Sequence, residues 1–250
     1  MRHPHQPASS QPPVEAAALD LREKGGPKDG QPQFSDKRLF MQLTAFTGCH
    51  DAHALINGLG RGVDCVLYEE VNDPTGVAVL AMTDNPELLV TKLRQDLTSG
   101  PFKDLKIKNE FSMLGRTYAL GYEPKLEDWL LHRPRRVTMD PATPWAIWYP
   151  LRRTGAFSRL PRPEQMQILK EHGTIGRQFG DAGVASDVRL ACHGLDTNDN
   201  DFVIGLMGKE LAPLSQLVET MRPTVQTSQY IANLGPFFVG RALWRTPQKA

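Results

Sequence analysis

The chain has 250 residues, of which 40% are hydrophobic and 23% are charged, and its formal net charge is +1. These values are ordinary for a soluble globular protein of one large or two small domains, and they exclude recruitment of nucleic acid or an acidic membrane by net charge. No apolar run reaches the ~18 residues of a membrane span. The scattered Cys49, Cys65 and Cys192 form no disulfide framework, so we expect a cytoplasmic protein.

Residues 1–36 are rich in proline, glutamine, glycine and serine and offer little to bury. This composition predicts a disordered N-terminal tail, with the folded part beginning at Lys37.

Residues 37–123 show the element order β-α-β-β-α-β, which is the ferredoxin-like pattern. The predicted strands cover residues 38–46, 63–71, 75–84 and 107–122, and the predicted helices cover residues 51–60 and 85–97.

Residues 145–245 repeat the same order after a connection over 124–144, which we interpret as a short helix and a proline-rich loop. The predicted strands are 146–153, 186–195, 200–208 and 237–244, and the predicted helices are 161–179 and 212–222. We therefore predict an α+β fold in which two ferredoxin-like (βαββαβ) halves pack as one domain, the dimeric α+β barrel type.

His172 lies on the apolar face of the predicted helix 161–179, near Leu169 and Ile175. Most histidines in such a place are buried and satisfied by a carbonyl group. Gly173 and Gly176 follow it, however, and leave room for a flat ligand to approach the helix. A single histidine without neighbouring ligands suits a haem iron better than zinc, which needs three or four protein ligands.

Tyr149 and Arg153 are four residues apart on a predicted strand and therefore point to one face. Together they could hold a carboxylate, because the guanidinium fork matches that group. The alternative is a core tyrosine beside a solvated, charged strand end.

Two further clusters have a functional and a structural interpretation. The basic run HRPRR begins at His132 and could bind propionates or phosphates, or could be a solvated surface. The segment CHDAH, residues 49–53, looks like a metal motif but lacks a second pair of ligands. We favour a helix N-terminus there, with Asp51 near the cap.

Several short motifs occur together in one order: PWAIWYP, an arginine four residues after the tyrosine, EHGTIGR, HGLDTNDNDF, LVETMRPT and FFVG. With these motifs in this order, the chain resembles the chlorite dismutase family of haem proteins from Lys37 to Trp244. It is most similar to the coproheme decarboxylase branch, also called hydrogen peroxide-dependent haem synthase, of the actinobacterial type. The resemblance implies paired ferredoxin-like halves that assemble as a homopentamer, with iron coproporphyrin III or haem b bound.

The resemblance also implies roles for individual residues. His172 matches the ligand of the haem iron, and Tyr149 matches the tyrosine that forms a radical. Arg153 matches the basic residue that positions a reacting propionate. His132 stands where the actinobacterial branch has a distal histidine that acts as a base on bound peroxide.

Two propionate contacts are implied in the same way, at Arg135 and at Ser228, or at Thr227 if the gap in the match is placed differently. Chlorite-degrading members carry a distal arginine that would match Asp187 or Ala185, depending on which motif is used as the anchor. Neither residue is arginine, although Arg189 lies two residues further on. This departure favours decarboxylation over chlorite chemistry.

The activity implied is the peroxide-dependent oxidative decarboxylation of iron coproporphyrin III to haem b, through a ferryl species and a tyrosyl radical. Two alternatives remain open. One is a chlorite dismutase or general haem peroxidase of the same fold, which would be favoured if Arg189 reached the distal face. The other is a non-catalytic haem-binding module, which would be favoured if Tyr149 and Arg153 were buried away from any cavity.

Overall fold

The computed structural model describes residues 19–59 and 62–247. The first 18 residues of the predicted tail lie outside this part of the chain. The rest of that segment forms an antiparallel hairpin of β1 (Glu23–Lys28) and β2 (Gln31–Ser35). The prediction of disorder over 19–36 is therefore wrong, because contacts with the rest of the fold hold this polar segment in place.

The turn of the hairpin is Asp29-Gly30, and both residues have positive φ angles, 51° and 77°. Asp-Gly is among the strongest sequence signals for a tight hairpin turn, since glycine and aspartate tolerate that region. Glu23 fixes the hairpin to the barrel. One of its carboxylate oxygens accepts hydrogen bonds from Arg38 at 2.9 Å and from Arg116 at 3.0 Å.

The first half contains the six predicted elements, in the predicted order. The strands are β3 (Phe40–Thr47), β4 (Asp64–Glu70), β5 (Val77–Thr83) and β6 (Lys106–Arg116). The helices are α1 (Ala52–Ile56) and α2 (Arg94–Leu97), which continues a π-helical turn over Leu89–Leu93. A 3₁₀ turn over Gly100–Asp104 precedes β6.

Strand β6 ends at Arg116, six residues before the predicted end. Gly115, near its end, permits a close approach of the strand that contains Leu190, because a Cβ there would lie 2.7 Å from the Cβ of Leu190. Its role is therefore packing between strands.

The connection between the halves is more helical than predicted. A π-helical turn over Asp128–His132 leads into α3 (Arg133–Met139). The basic run HRPRR is thus helical, so the part of the connection interpreted as a proline-rich loop is shorter than predicted. Pro134 is the second residue of α3 and follows the π-helical turn directly.

The second half has strands β7 (Trp145–Arg153), β8 (Ser186–Ala191), β9 (Phe202–Gly208) and β11 (Phe238–Arg245). Its main helices are α5 (Arg162–Asp181) and α6 (Leu211–Met221). Three short elements were not predicted: α4 (Gly155–Arg159), α7 (Val225–Tyr230) and β10 (Ile231–Leu234).

The strands of the two halves form one antiparallel sheet in the order β10-β7-β11-β4-β5-β3-β6-β8-β9, and β9 also pairs with β7. This last pairing closes eight strands into a barrel. Each half contributes four strands in the same relative order, β4-β5-β3-β6 and β8-β9-β7-β11. The duplicated ferredoxin-like fold is therefore confirmed.

The barrel interior is filled by large apolar side chains, including Tyr68, Trp148 and Phe238. Because side chains alternate along a strand, neighbouring residues such as Tyr149 point outward to the layer of helices. Each half packs its helices on its own outer sheet face, in two further apolar clusters. No described helix combines the length and apolar character that crossing a bilayer requires.

Candidate functional site

A cavity of about 490 Å³ lies between the outer sheet face of the second half and helices α5 and α6. Its floor is formed by strands β7, β9 and β8, and its opposite wall by α5. The lining residues include aromatic, basic and glycine residues, namely Tyr122, Trp129, Arg133, Tyr149, His172, Gly173, Gly176, Gly180, Asp187, Arg189, Gln226 and Thr227.

Strand register places the polar residues of the floor in one row. Tyr149 pairs with Ile204 across β7 and β9, and Ile204 pairs with Arg189 across β9 and β8. Neighbouring strands lie about 4.8 Å apart, so the backbones of Tyr149 and Arg189 are separated by roughly 10 Å. Asp187 lies two residues from Arg189 and therefore points to the same face.

Glycines leave part of the α5 wall without side-chain bulk, although Arg177 and Asp181 of this helix also line the cavity. His172, Gly176 and Gly180 are spaced by four residues and line it together with Gly173. A Cβ at Gly173 would meet nothing within 4 Å, and one at Gly176 would meet only the end of Met221 at 3.7 Å. None of the twenty residues of α5 is fully buried. The space under this helix is therefore open enough to receive a flat ligand.

His172 is held as a neutral imidazole. Burial, and after it the positive charges of Arg153 and Arg189, lowers the pKa of His172 to about 4. Its Nδ1 lies 3.5 Å from Oγ1 of Thr224, at the long end of hydrogen-bond distances. The Thr224 hydroxyl donates to the carbonyl of Met221 at 2.7 Å. In the tautomer whose Nδ1–H donates to Thr224, Nε2 carries the lone pair that can bind a metal.

Tyr149 is buried, and its ring stacks on Phe237 with centroids 4.7 Å apart. Its hydroxyl has no hydrogen-bond partner among the described residues, although the side chain lines the cavity. Burial and the negative charge of Asp187 raise the pKa of the Tyr149 phenol above its usual value. The residue is therefore a protonated phenol at neutral pH, and its side chain lines the cavity.

Three side chains form an ionic group at the other end of the row. One carboxylate oxygen of Asp187 lies 3.0 Å from Nη2 of Arg133, and the other lies 3.0 Å from Nε of Arg189. Both guanidinium groups lie over the indole of Trp129, at 4.9 and 5.4 Å from its ring. This cluster brings two cations and one anion to the cavity.

Arg153 lies near the cavity but does not line it. Its guanidinium group is packed between the rings of Phe157 and Phe202, at 4.8 and 4.6 Å from their centroids, and its Nε has no partner among the described residues. Its charge is nevertheless close enough to lower the pKa of His172. The structure thus brings Tyr149 and His172 together, with Arg153 just behind the lining.

The structure does not bring the other predicted residues to the cavity. His132 and Arg135 line a separate surface depression with Arg136, Met139 and Asp140. Nε of Arg135 donates to Asp64 at 3.1 Å, so this arginine is paired with the first half. The Ser228 hydroxyl donates to the Thr224 carbonyl at 2.8 Å, whereas the neighbouring Thr227 lines the cavity. Successive side chains of a helix point about 100° apart, so Arg133 faces the cavity while His132 and Arg135 face the separate depression.

Three positions were candidates for the distal site in the sequence, and all three line the cavity: Ala185, Asp187 and Arg189. The CHDAH segment has the predicted capping role, since Asp51 accepts a hydrogen bond from the backbone N–H of Ala54 at 3.2 Å. No group of three or more potential metal-ligating side chains occurs among residues 19–59 and 62–247.

Trp129 was missed as a site residue, and Arg133 was named only as part of the basic run HRPRR, although the sequence holds a signal for both. They are four residues apart, so one helix face carries both if the helix continues past His132. Gln226 was also missed. It is buried, lines the cavity, and its Oε1 has no partner among the described residues. A buried polar atom without a partner points to a contact with a ligand or water.

Comparison with solved structures places this fold among known proteins. The chain matches TA0507, a protein assigned as a chlorite dismutase, at 15% identity and a TM-score of 0.67, over 83% of this chain and 96% of that one. It matches a haem-binding protein from Thermus thermophilus at 18% identity and a TM-score of 0.65, over 83% and 92%. A chlorite dismutase from Candidatus Nitrospira defluvii matches at 13% identity and a TM-score of 0.63, over 82% and 90%.

These identities are low, so the matches establish the fold alone. The sequence itself supplies the family, because the Chlorite dismutase family model matches residues 89–243. That range is more than half of the chain and contains α3, the floor of the cavity and helix α5. On this match, the chain belongs to the chlorite dismutase family.

Proposed function

We propose that this protein is a haem-dependent oxidoreductase of the coproheme decarboxylase branch, which converts iron coproporphyrin III to haem b with hydrogen peroxide. The observation that carries the proposal is that Tyr149 and His172 line the same cavity from opposite walls. An oxidisable phenol and a neutral imidazole facing one flat space are what such a reaction needs from a protein.

The residues present fit an iron porphyrin. The glycines of α5 leave an open strip beside His172, and that imidazole has a free Nε2 to bind the iron. The iron porphyrin, which is the substrate, would supply the redox chemistry with peroxide, while the protein supplies position and charge. The cationic groups of Arg133 and Arg189 match a ligand whose edge carries carboxylates.

Tyr149 would act on the propionate side chain. For each propionate converted to a vinyl group, one carbon dioxide leaves and the substrate loses two electrons, which reduce one peroxide to two waters. The raised pKa keeps the phenol protonated, so its oxidation must release the hydroxyl proton. Arg153 would add positive charge near this end of the cavity and favour an ionised propionate there.

The base role that the resemblance implies for His132 is not part of this proposal, because its imidazole is exposed and lies outside the cavity. Arg135 and Ser228 are omitted for the same reason. The homopentamer and the actinobacterial type stay predictions.

A second candidate function is chlorite dismutation. One observation favours it, namely that Arg189 lines the cavity although Asp187 or Ala185 occupies the aligned position. Its Nε is paired with Asp187, which leaves it less free to stabilise an oxyanion. A binding module without catalysis is less well supported, since Tyr149 reaches the cavity.

The test is to add iron coproporphyrin III to the purified protein, titrate hydrogen peroxide and follow the mass of the porphyrin. We expect two successive losses of carbon dioxide and two hydrogens. Tyr149→Phe should bind the porphyrin with an unchanged Soret band and form product at least about a thousandfold more slowly, because the phenol that transfers the oxidising equivalent is missing. Tyr230→Phe, a tyrosine outside the cavity, is the matched control.

The outcomes separate the candidates. Full product formation by Tyr149→Phe would remove the role of that residue. Porphyrin binding without any mass loss, combined with oxygen release from added chlorite, would replace decarboxylation with chlorite dismutation.

A further inference from the structure

The ionic group at the end of the cavity floor has donors without partners. Arg189 contacts Asp187 through Nε, at 3.0 Å, and neither of its terminal nitrogens donates a hydrogen bond to another described residue. The terminal nitrogens of Arg133, in contrast, both donate hydrogen bonds. Its Nη1 donates to the backbone carbonyl of Asp187 at 2.8 Å, and its Nη2 donates to the side chain. Part of the donor capacity of this group therefore faces the cavity.

The position of the two cations does not depend on the Asp187 carboxylate alone. The indole of Trp129 supports both guanidinium groups, and the backbone carbonyl of Asp187 supports Arg133. Replacing the carboxylate with another anion would therefore leave Arg133 and Arg189 in place. The side chains are between a quarter and two fifths exposed, so a ligand in the cavity can reach them.

The net charge of this ionic group favours a negatively charged ligand. Two guanidinium groups face one carboxylate, so this group carries one net positive charge. The other charged residues that line the cavity, Arg177 and Asp181, are of opposite sign and leave that balance unchanged. A second carboxylate arriving from a ligand meets a planar, bidentate donor, which is the geometry that arginine offers and lysine does not.

We propose that Arg133 and Arg189 form a carboxylate-binding subsite, and that Asp187 is an internal anion that a ligand carboxylate must displace or share. This inference rests on the proposed function, since it takes the ligand to be a porphyrin with propionate groups. It replaces Arg135 and Ser228, which lie outside the cavity, as the residues that bind the charged edge of the ligand.

The subsite makes binding selective for acidic porphyrins. A porphyrin without carboxylates gains nothing from the arginines, and they stay paired with Asp187. A ligand with several carboxylates gains charge-assisted hydrogen bonds that offset the loss of the internal pair. Asp187 thus lowers affinity for every ligand carboxylate but preserves the arginine geometry when the cavity holds none.

The test measures binding of metal-free coproporphyrin III, which has four carboxylates, and of its tetramethyl ester, which has none, by quenching of porphyrin fluorescence. Without iron, the His172–metal bond contributes nothing to either affinity. Asp187→Asn should bind the acid about tenfold more tightly than the wild type, and Arg189→Gln about tenfold more weakly. Arg189→Lys, which keeps the charge but not the fork, should fall between the wild type and Arg189→Gln. The ester should change less than about twofold in every variant.

Matched controls come from an ion pair outside the cavity. Arg152 contacts Asp199 at 2.8 Å, and neither lines the cavity, so Asp199→Asn and Arg152→Gln should leave both affinities unchanged. The inference is overturned if Asp187→Asn binds the acid no better than the wild type, or if the ester responds as the acid does. Failure of the wild type to bind either porphyrin would overturn the proposed function itself, and the subsite with it.

Discussion

The two halves of the barrel share one strand order but use the space beneath their helices in different ways. In the first half, side chains fill it. All seven residues of β5 are buried, and Leu55, Leu93 and Phe102 pack onto the outer sheet face. In the second half, α5 is the longest described helix, yet none of its residues is fully buried, and a cavity of about 490 Å³ separates it from the sheet.

The difference shows how a duplicated fold can carry one site. The closed barrel and the packed first half bury enough apolar surface to stabilise the domain, so the second half can leave part of its outer layer unfilled. Glycine at three positions of α5 creates the space, and a histidine among them supplies the chemistry. The corresponding helix of the first half, α1, carries His53, which is exposed.

The largest expected effect concerns packing. Phe102 is buried and meets Phe46 edge-on, with ring centroids 5.5 Å apart. Phe102→Ala should lower the free energy of unfolding by about 3–5 kcal/mol, because it removes apolar contacts and leaves a hole. Phe179→Ala on α5 should cost only about 1–2 kcal/mol, since that ring is half-buried. Denaturant unfolding of both variants gives the comparison, and equal costs would show that the two outer layers are packed alike.

The next largest expected effect is a change of stability with pH. The pKa of His172 is lowered to about 4 from 6.5, so between these values the unfolded chain binds a proton that the folded protein does not. Stability should therefore fall as the pH drops from about 6.5 to about 4, by roughly 1–3 kcal/mol for this group, because its partial exposure weakens the effect of burial. Urea unfolding at several pH values measures this loss.

The matched variants assign this loss to one side chain. His172→Gln should lack this part of the pH dependence, and His53→Gln, which changes an exposed histidine of the first half, should keep it. The same pH slope in wild type and His172→Gln would contradict the environment described for His172.

Much of the fold could be predicted because local pattern and tertiary structure agree. The alternation in β3 and the continuous apolar run of β5 identified strands, and repetition of the element order identified the duplicated barrel. The N-terminal hairpin was missed for the opposite reason. Its residues are polar and include two prolines, and it is held by long-range contacts such as Glu23 with Arg116, which composition does not reveal.

The residues of the candidate site also include some that could be predicted from the sequence and some that could not. Tyr149 and His172 could be predicted because each lies on a regular element whose period fixes the direction of its side chain. The position of His132 and Arg135 outside this cavity could not be predicted, because the basic run HRPRR continues as helix α3 and does not form a loop. Trp129 and Arg133 share one helix face because the helix continues past His132, where the sequence predicted a loop.

The smallest effect tests directly whether the open layer of the second half is maintained for a ligand. Gly173 is exposed, lies mid-helix in α5, and an added Cβ would meet nothing in the protein within 4 Å. Gly173→Ala should therefore raise the free energy of unfolding by about 0.5–1 kcal/mol, because alanine loses less backbone entropy than glycine in a helix. The melting temperature should rise by about 1–4 °C.

The same methyl group projects from the cavity wall beside His172, so it should weaken binding of iron coproporphyrin III by about tenfold, measured from the Soret band. Gly155→Ala in α4, outside the cavity and equally free of contacts, should leave porphyrin affinity unchanged. A gain in stability without loss of affinity would mean that the porphyrin does not lie against this strip of α5. Loss of both stability and affinity would instead show that the helix cannot accept the methyl group, and that the glycine is needed for the fold.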